Sequence, residues 1–207
     1  MFDIHFFINF FSKFNEYIQE NKDYLTELDS AIGDADHGIN MSKGCKVALE
    51  KIENSNFKSV SDLLKSISMA LMSSVGGASG PLYGTIFMRM AVSLSMTDIE
   101  LKNLSSALQN ALNGIKSLGK AELGDKTMVD VWEPVVNEFN MLVEKNTDIF
   151  DLKNKIISLA EKSMKNTTPL IARKGRASYL GPRSANHQDP GATSSYLFFK
   201  ALFESLE

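Results

Sequence analysis

The sequence is poor in cysteine and has no long apolar run, and both absences narrow the class of protein. Cys45 is the only cysteine among the 207 residues, which excludes an internal disulfide and a zinc site built from several cysteines. No stretch reaches the roughly 18 uninterrupted apolar residues of a membrane-spanning helix. The apolar start, residues 2–14, lacks the basic leader and the small-residue cleavage site of a signal peptide. These features predict a cytoplasmic protein in a reducing compartment.

The chain also lacks a strong excess of either charge. It has 22 basic and 25 acidic residues and a net charge of -3, so neither a nucleic-acid footprint nor an acidic tail is indicated. The three histidines, His5, His37 and His187, have no metal-binding companion at helical spacing, and no Gly-x-Ser-x-Gly elbow of a hydrolase occurs. We therefore expect a small molecule or another protein as partner.

Apolar residues recur every three or four positions along most of the chain, which predicts helices. The first helix has an apolar face made of Ile4, Phe7, Phe11, Phe14 and Ile18. A helix lying on a membrane surface is the alternative, but the polar side is not basic. Seven similar segments follow at about 40–52, 58–75, 83–95, 100–118, 127–146, 149–166 and 191–205. Eight helices without a competing strand pattern predict an all-α fold, an antiparallel bundle or barrel in one domain, residues 1–207.

The densest group of acidic residues lies near the start of the chain. Residues 23–42 contain no Lys or Arg and five acidic side chains, Asp23, Glu27, Asp29, Asp34 and Asp36. An N-cap or a turn explains any one Asp, but three of them fall within residues 29–36, and like charges this close repel unless a cation neutralises them. The segment therefore predicts a site for a hard divalent cation with oxygen ligands.

Magnesium fits this segment better than calcium. An EF-hand loop starting at Asp34 would need a ligand at Gly38, a glycine at Ile39 and a glutamate at Cys45, and it has none of them. Mg²⁺ uses few carboxylates and shares its coordination shell with water and substrate phosphates. Asp23 and Glu27 are then assigned to a solvated helix face.

Two further segments have features of phosphate sites. Residues 76–85 are rich in glycine and precede an apolar helical run, so backbone N–H groups could approach a phosphate; no Walker sequence follows, and close helix packing is an equal alternative. Residues 167–191 form a long connection that carries Arg176 and Arg183. Arginine forks suit phosphate oxygens, although a solvated surface explains either side chain equally well. Asp189 followed by Pro190 favours a helix start.

Residues 119–128 end one helix and begin another, with Asp125 or Thr127 as a candidate cap. His37 directly follows the acidic segment, where it either hydrogen-bonds a phosphate or orients Asp36. Carboxylates for Mg²⁺, glycine-rich backbone donors, arginines and a long loop are together the parts of a nucleotide site in phosphoryl transfer.

Four motifs of the chain resemble, in the same order, those of the L subunits of dihydroxyacetone kinases. They are residues 28–38 (LDSAIGDADHG), 76–84 (GGASGPLYG), 124–128 (GDKTM) and 175–191 (GRASYLGPRSANHQDPG). The resemblance implies a barrel of eight antiparallel helices with a nucleotide held at one end, so that the whole chain is one nucleotide-binding domain. It also implies a phosphotransferase that acts on dihydroxyacetone.

The resemblance assigns site residues as well. Asp29, Asp34 and Asp36 match the family's metal ligands, expected to hold two Mg²⁺ ions on the phosphates of ADP or ATP. Arg176 matches a residue that we expect to stabilise the charge of the transferred phosphate. The nucleotide contacts implied by the family are His37, Gly38, Ile39, Asn40, Ala78, Ser79, Gly119, Met128, Arg176, Asp189, Pro190 and Gly191.

The family contains fused ATP-dependent enzymes and systems of separate subunits driven by phosphoenolpyruvate, and the length of this chain favours the second kind. There, bound ADP is phosphorylated by a phosphohistidine carrier, the M subunit, and the γ-phosphate passes to dihydroxyacetone on the K subunit. One alternative is a freestanding ATP-dependent component with exchangeable nucleotide. Another is a nucleotide- and metal-sensing module that binds a transcription regulator. Neither nucleic acid nor a membrane is an expected partner.

Three residues depart from the family pattern. Ala35 stands between two implied metal ligands where the fused members usually have Gly, so a positive φ there would be costly. Pro182 replaces a polar residue, commonly Glu, and Asn186 replaces a common Gly. We expect these changes to affect loop geometry and nucleotide exchange and to leave the metal site intact.

Overall fold

The computed structural model describes residues 2–206, in which α-helices dominate and no strand occurs. The elements are α1 (Ile4–Glu20), α2 (Lys22–Ile32), α3 (His37–Glu53), α4 (Val60–Ser74), α5 (Ser79–Ser93), α6 (Leu101–Gly119), α7 (Val129–Glu144), α8 (Ile149–Lys165), a 3₁₀ segment (Arg176–Ser184) and α9 (Pro190–Glu204). No helix within this range is long and apolar enough to cross a membrane.

All eight predicted segments are helices, and the structure adds α2. Its buried residues are only Leu25, Asp29 and Ile32, so the apolar periodicity is too weak to reveal it. The largest boundary error is at α5, which begins at Ser79, four residues before the predicted start. Pro81 lies in its first turn, where a missing N–H costs no intrahelical hydrogen bond.

Eight of the helices close into a ring. Each consecutive pair from α3 to α9 packs together, and α1 packs against both α9 and α3. α2 lies beside the ring and contacts α3 and α9. The predicted all-α barrel of eight helices is confirmed, with a ninth α-helix next to it.

Neighbouring helices of the ring run in opposite directions. The first residues of α3, α5 and α9, and Met128 directly before α7, line a single pocket, which lies at the end of the barrel that we call the mouth. The first residues of α1, α6 and α8 line a different cavity together with the end of α9. Four helices therefore begin at the mouth, and the predicted antiparallel arrangement is confirmed.

Aromatic side chains fill the inside of the ring. Phe198 of α9 is fully buried, with its ring centroid between 5.0 and 5.8 Å from those of Phe10, Phe14, Phe87 and Trp132. These partners come from α1, α5 and α7, so one side chain connects four helices. The apolar face of α1 packs into this core, which excludes the membrane-surface alternative for that helix.

Replacing Phe198 tests this core. We expect Phe198→Ala to lower the free energy of unfolding by about 3–5 kcal/mol, because it leaves a cavity bordered by four helices. Phe150→Ala is the matched control, since this side chain is 68% exposed, and it should change stability by less than about 0.5 kcal/mol. Urea denaturation measures both; equal effects would contradict a central role for Phe198.

Candidate functional site

The pocket at the mouth is open to solvent and has a volume of about 870 Å³ when its open part is included. Most of its walls come from the connections that precede four helices. The N-terminus of a helix carries a partial positive charge and N–H groups without an intrahelical partner. At the opposite end the helices α1, α4 and α8 have side-chain caps, from Asp3, Ser59 and Asp148. At the mouth, carboxylates cap α3 and α9, from Asp29 and Asp189, whereas the N-cap residues of α5 and α7 supply no side-chain cap, so the start of α5 in particular is open to a bound anion.

Three carboxylates stand at one side of this pocket. Asp29 comes from the last turns of α2, and Asp34 and Asp36 come from the turn between α2 and α3. One carboxylate oxygen from each lies within 4.8 Å of those of the other two. Asp29 is buried, Asp36 is half-buried and Asp34 is exposed. This is a convergent set of hard oxygen donors, which suits Mg²⁺.

Backbone contacts fix the position of Asp29. Its Oδ2 accepts hydrogen bonds from the backbone N–H groups of Asp36, at 2.9 Å, and His37, at 3.1 Å, so it caps the start of α3 from the neighbouring helix. A Cβ at Gly33 would lie 2.0 Å from Asp29 Oδ1. Only glycine therefore fits at this position, and the sequence motif has a steric cause.

In the carboxylate cluster the pKa of one member, Asp36, is raised. Burial raises the pKa of Asp36 above its usual value, and the neighbouring charges of Asp34 and Asp29 raise it further. The only basic side chain paired with the cluster in the described chain is Arg176, whose Nη2 lies 2.9 Å from Asp34 Oδ2. A divalent cation would relieve the remaining repulsion.

The residue between Asp34 and Asp36 has a strained backbone. Ala35 has φ 60°, the left-handed region that disfavours residues with a side chain. Asn186 also has a positive φ, 66°. Asn tolerates this region better than Ala, so the cost falls mainly on Ala35.

His37 is held by hydroxyl groups. Its Nδ1 lies 3.0 Å from Ser79 Oγ and its Nε2 lies 2.9 Å from Ser194 Oγ, which also accepts a hydrogen bond from Tyr83 at 2.8 Å. Burial lowers the pKa of His37 to about 4, so the ring is neutral near pH 7. Both nitrogens are occupied, and neither bonds Asp36. The two roles expected for this ring are to hydrogen-bond a phosphate and to orient Asp36, and these contacts favour neither of them. The ring is instead hydrogen-bonded to Ser79 at the start of α5.

Asp189 begins α9 as the sequence predicts. Its Oδ2 accepts from the backbone N–H of Ala192 at 2.7 Å, and Pro190 is the first residue of the helix. Its own N–H donates to Thr167 Oγ1 at 3.0 Å. Burial raises the pKa of Asp189 to about 7.

Of the two residues expected to cap the start of α7, only Thr127 does so. Its Oγ1 accepts from Val129 N–H at 3.2 Å, whereas Asp125 Oδ2 accepts from Glu122 N–H inside the preceding turn.

Most of the predicted site residues line this pocket. They are Asp29, Asp34, Asp36, His37, Ala78, Ser79, Met128, Arg176, Asp189, Pro190 and Gly191. The lining does not include Gly38, Ile39, Asn40 or Gly119. Gly38 packs against α2, where a Cβ would lie 2.0 Å from the Lys22 carbonyl oxygen, and Gly119 ends α6 behind Leu82, which does line the pocket. Contact of these four with a nucleotide stays a prediction.

Sequence reasoning missed several residues at the mouth. Lys126 is fully buried beside Thr127, and Tyr83 reaches Ser194 from the second turn of α5. Both lie inside motifs that the sequence analysis singled out, but a buried lysine there resembles an ordinary surface lysine in the sequence. The sequence does not single out Ser194, because it is the middle one of three consecutive polar residues, 193–195, and no pattern distinguishes it from its neighbours.

Carboxylates beside four helix N-termini are an arrangement that suits a metal ion together with an anionic ligand. The chain belongs to the DAK2 domain family, whose model matches residues 31–204. It is 47% identical to the PTS-dependent dihydroxyacetone kinase, ADP-binding subunit DhaL, of Lactococcus lactis, over 95% of each chain. It is 43% identical to the PEP-dependent dihydroxyacetone kinase, ADP-binding subunit DhaL, of Escherichia coli, over 94% of this chain and 93% of the relative.

The fold matches that of a solved enzyme. The crystal structure of the dihydroxyacetone kinase from C. freundii in complex with AMP-PNP and Mg²⁺ superposes with a TM-score of 0.71 at 22% identity. The match covers 96% of this chain and 33% of the other, so this chain corresponds to about a third of that kinase. At this identity the likeness establishes the fold.

The strained backbone at Ala35 gives a direct test. We expect Ala35→Gly to raise the free energy of unfolding by about 0.5–1 kcal/mol, because glycine adopts a positive φ without a steric penalty. Ala185→Gly is the control, since Ala185 has φ -67° and the change there should destabilise through the greater freedom of the unfolded chain. Thermal unfolding of both variants checks the sign, and a loss of stability in Ala35→Gly would contradict the strain.

Proposed function

We propose that the chain is the nucleotide-binding subunit of a dihydroxyacetone kinase. It holds Mg-ADP while a phosphohistidine carrier, the M subunit, phosphorylates the nucleotide, and it presents the γ-phosphate to dihydroxyacetone on the K subunit, which gives dihydroxyacetone phosphate. The observation that carries this proposal is the carboxylate cluster facing four helix N-termini in one pocket. The names of the relatives, ADP-binding subunits of such kinases, supply the substrate and the multi-subunit setting.

We assign the metal site to Asp29, Asp34 and Asp36, with two Mg²⁺ ions. The support is the donor set: three carboxylates converge within 4.8 Å, and one of them is locked by two backbone hydrogen bonds. Bound Mg²⁺ would neutralise and orient the nucleotide phosphates. We propose two ions because phosphate oxygens and water can complete the coordination shell of each one beside the three carboxylates.

In this proposal, other residues of the pocket bind the phosphates, and none of them accepts the phosphoryl group covalently. Arg176, already beside Asp34, can bring its guanidinium to a phosphate oxygen, and the start of α5 at Ala78 and Ser79 offers backbone N–H groups. His37 is neutral with both nitrogens occupied, so it is a poor phosphoryl acceptor. The acceptor hydroxyl and any base acting on it then come from the K subunit.

The whole chain acts as one domain in this proposal, and the cytoplasm is its compartment. Its single cysteine is buried and unpaired, as a reducing compartment allows. A transcription regulator is a further proposed partner, on the ground of the family resemblance alone.

Asp34 is the sharpest test of the metal site, because it is the most exposed of the three ligands and its only charged partner in the described chain, Arg176, is exposed as well. We expect Asp34→Asn to lower phosphoryl transfer at least 100-fold in a mixture reconstituted with the K and M subunits, by losing charge that holds Mg²⁺. Asp23→Asn is the matched control, on the exposed face of α2 in the same acidic segment. Near-normal turnover of Asp34→Asn at saturating Mg²⁺ would refute the assignment.

The nucleotide content of the purified chain separates this proposal from the freestanding ATP-dependent component. We expect ADP to copurify and to survive desalting, because a coenzyme phosphorylated in place need not leave its site. Chromatography of the acid extract measures it. A nucleotide-free preparation that turns over with ATP alone, once the K subunit is added, would favour the alternative. Nucleotide binding without any phosphorylation of dihydroxyacetone in the complete mixture would favour the sensing module.

A further inference from the structure

Lys126 is the most deeply buried basic side chain in the described part of the protein, with 1% of its surface exposed. It lies between the turn of residues 122–125 and the start of α7, and its backbone adopts φ 63°. The next two residues, Thr127 and Met128, line the pocket at the mouth. A lysine is an expensive residue to bury, so its surroundings must compensate for the lost hydration of the ammonium group.

The compensation comes from backbone carbonyl groups. Nζ of Lys126 donates to the carbonyl oxygens of Thr167, Leu170 and Thr168 at 2.9, 3.0 and 3.2 Å, and also to that of His187. Within residues 2–206, no carboxylate lies close enough to form an ion pair with this ammonium. The ammonium has three N–H donors, so one N–H is shared between two of these carbonyls, whereas a neutral amine with two N–H donors would satisfy fewer of them.

These carbonyls belong to the two ends of one long connection. Residues 166–170 follow the last turn of α8, where the helix dipole is negative and an ammonium is favoured, and residues 186–189 precede α9. Two further hydrogen bonds join the ends: Asn186 N–H donates to the Thr168 carbonyl at 2.8 Å, and Asp189 N–H donates to Thr167 Oγ1 at 3.0 Å. Lys126 therefore closes the base of a loop formed by residues 171–185.

This loop carries the second set of groups that reach the pocket from outside the ring, in addition to those of α2 and the turn after it. Lys174, Arg176 and Ala177 line the pocket, and Arg176 meets Asp34. Near its base the loop makes another contact with the Lys126 segment, through Arg173 N–H and the Asp125 carbonyl at 3.0 Å. The position of Arg176 relative to the carboxylates thus depends on how firmly the base is held.

We propose that Lys126 is a positioning residue for the nucleotide site: its ammonium holds both ends of the 171–185 loop so that Arg176 stays directed at the phosphates. The proposal rests on the proposed function for its ligand, but the clamp itself is a property of the chain alone. An apolar side chain of similar length would fill the same space and leave the carbonyls of Leu170 and His187 without the Lys126 donor, while those of Thr167 and Thr168 would keep only their backbone donors, Leu170 and Asn186.

The test compares cleavage inside the loop with cleavage elsewhere. Lys126→Met is treated with trypsin without nucleotide, and cleavage after Arg173, Lys174 and Arg176 is measured relative to cleavage after Lys46, which lies in the middle of helix α3 and is cut only when the barrel opens. We expect this ratio to rise about tenfold, because the loop opens locally while the barrel stays folded. A purely structural role would speed both cleavages alike and leave the ratio unchanged, which would overturn the proposal.

Lys116→Met is the matched control. Lys116 is a half-buried lysine of α6 that pairs with Glu133 at 2.7 Å, away from the loop, so its loss should lower stability without changing the cleavage ratio. If Lys126→Met does not fold, Lys126→Gln replaces it, because the amide keeps two N–H donors. An intermediate rise in the ratio is then expected, and no rise would again overturn the proposal.

Binding of Mg-ADP connects the clamp to the site. We expect Lys126→Met to bind Mg-ADP about tenfold more weakly by calorimetry than the wild type, and saturating Mg-ADP to restore protection of the loop. Unaltered affinity in a variant whose loop is cleaved faster would refute the positioning role. Failure of the wild-type chain to bind Mg-ADP would refute the proposed function instead, and the cleavage ratio would still decide whether Lys126 is a clamp.

Discussion

The alternation of helix direction around a closed ring is the constraint on which the rest of this structure depends. Eight helices that alternate in direction must begin four at a time at each end, so the partial positive charges of α3, α5, α7 and α9 collect at one mouth. No single helix supplies more than about half an elementary charge. Collected at one mouth, the four N-termini make a favourable environment for phosphates, provided that the connections before each helix leave the N–H groups accessible.

The same constraint explains where the carboxylates lie. Helix α1 ends at the mouth and α3 begins there, so α2, which connects them, also lies at that end. The C-terminal turns of α2 bring Asp29 next to the start of α3. A cation site and an anion site thus become neighbours through the chain connection alone. A metal–phosphate ligand needs both within a few ångströms of each other, which is why neither the acidic segment nor the glycine-rich segment identifies the ligand alone.

The sequence predicted the parts of this protein that repeat or that carry charge in a recognisable order. Seven of the predicted helices and the α1 core face depend on apolar periodicity, which long packed helices show clearly. Helix α2 was not predicted because its buried face includes the carboxylate of Asp29, which interrupts the apolar pattern. The start of α5 was predicted too late because glycines stand there in place of apolar residues. The burial of Lys126 was not predicted for a different reason. Its partners are backbone carbonyl groups, which every residue has, so no pattern of side chains in the sequence indicates them.

Both ends of the described chain lie at the end of the barrel opposite the mouth. Phe2 and Asp3 line the same cavity as Ser205 and Leu206, and helices of 15 to 17 residues separate that cavity from the nucleotide pocket by about 25 Å. A label, a surface anchor or a second protein joined at either end would therefore leave the mouth open to its partners. The geometry makes this barrel a convenient module for fusion, with one end for attachment and the other for chemistry.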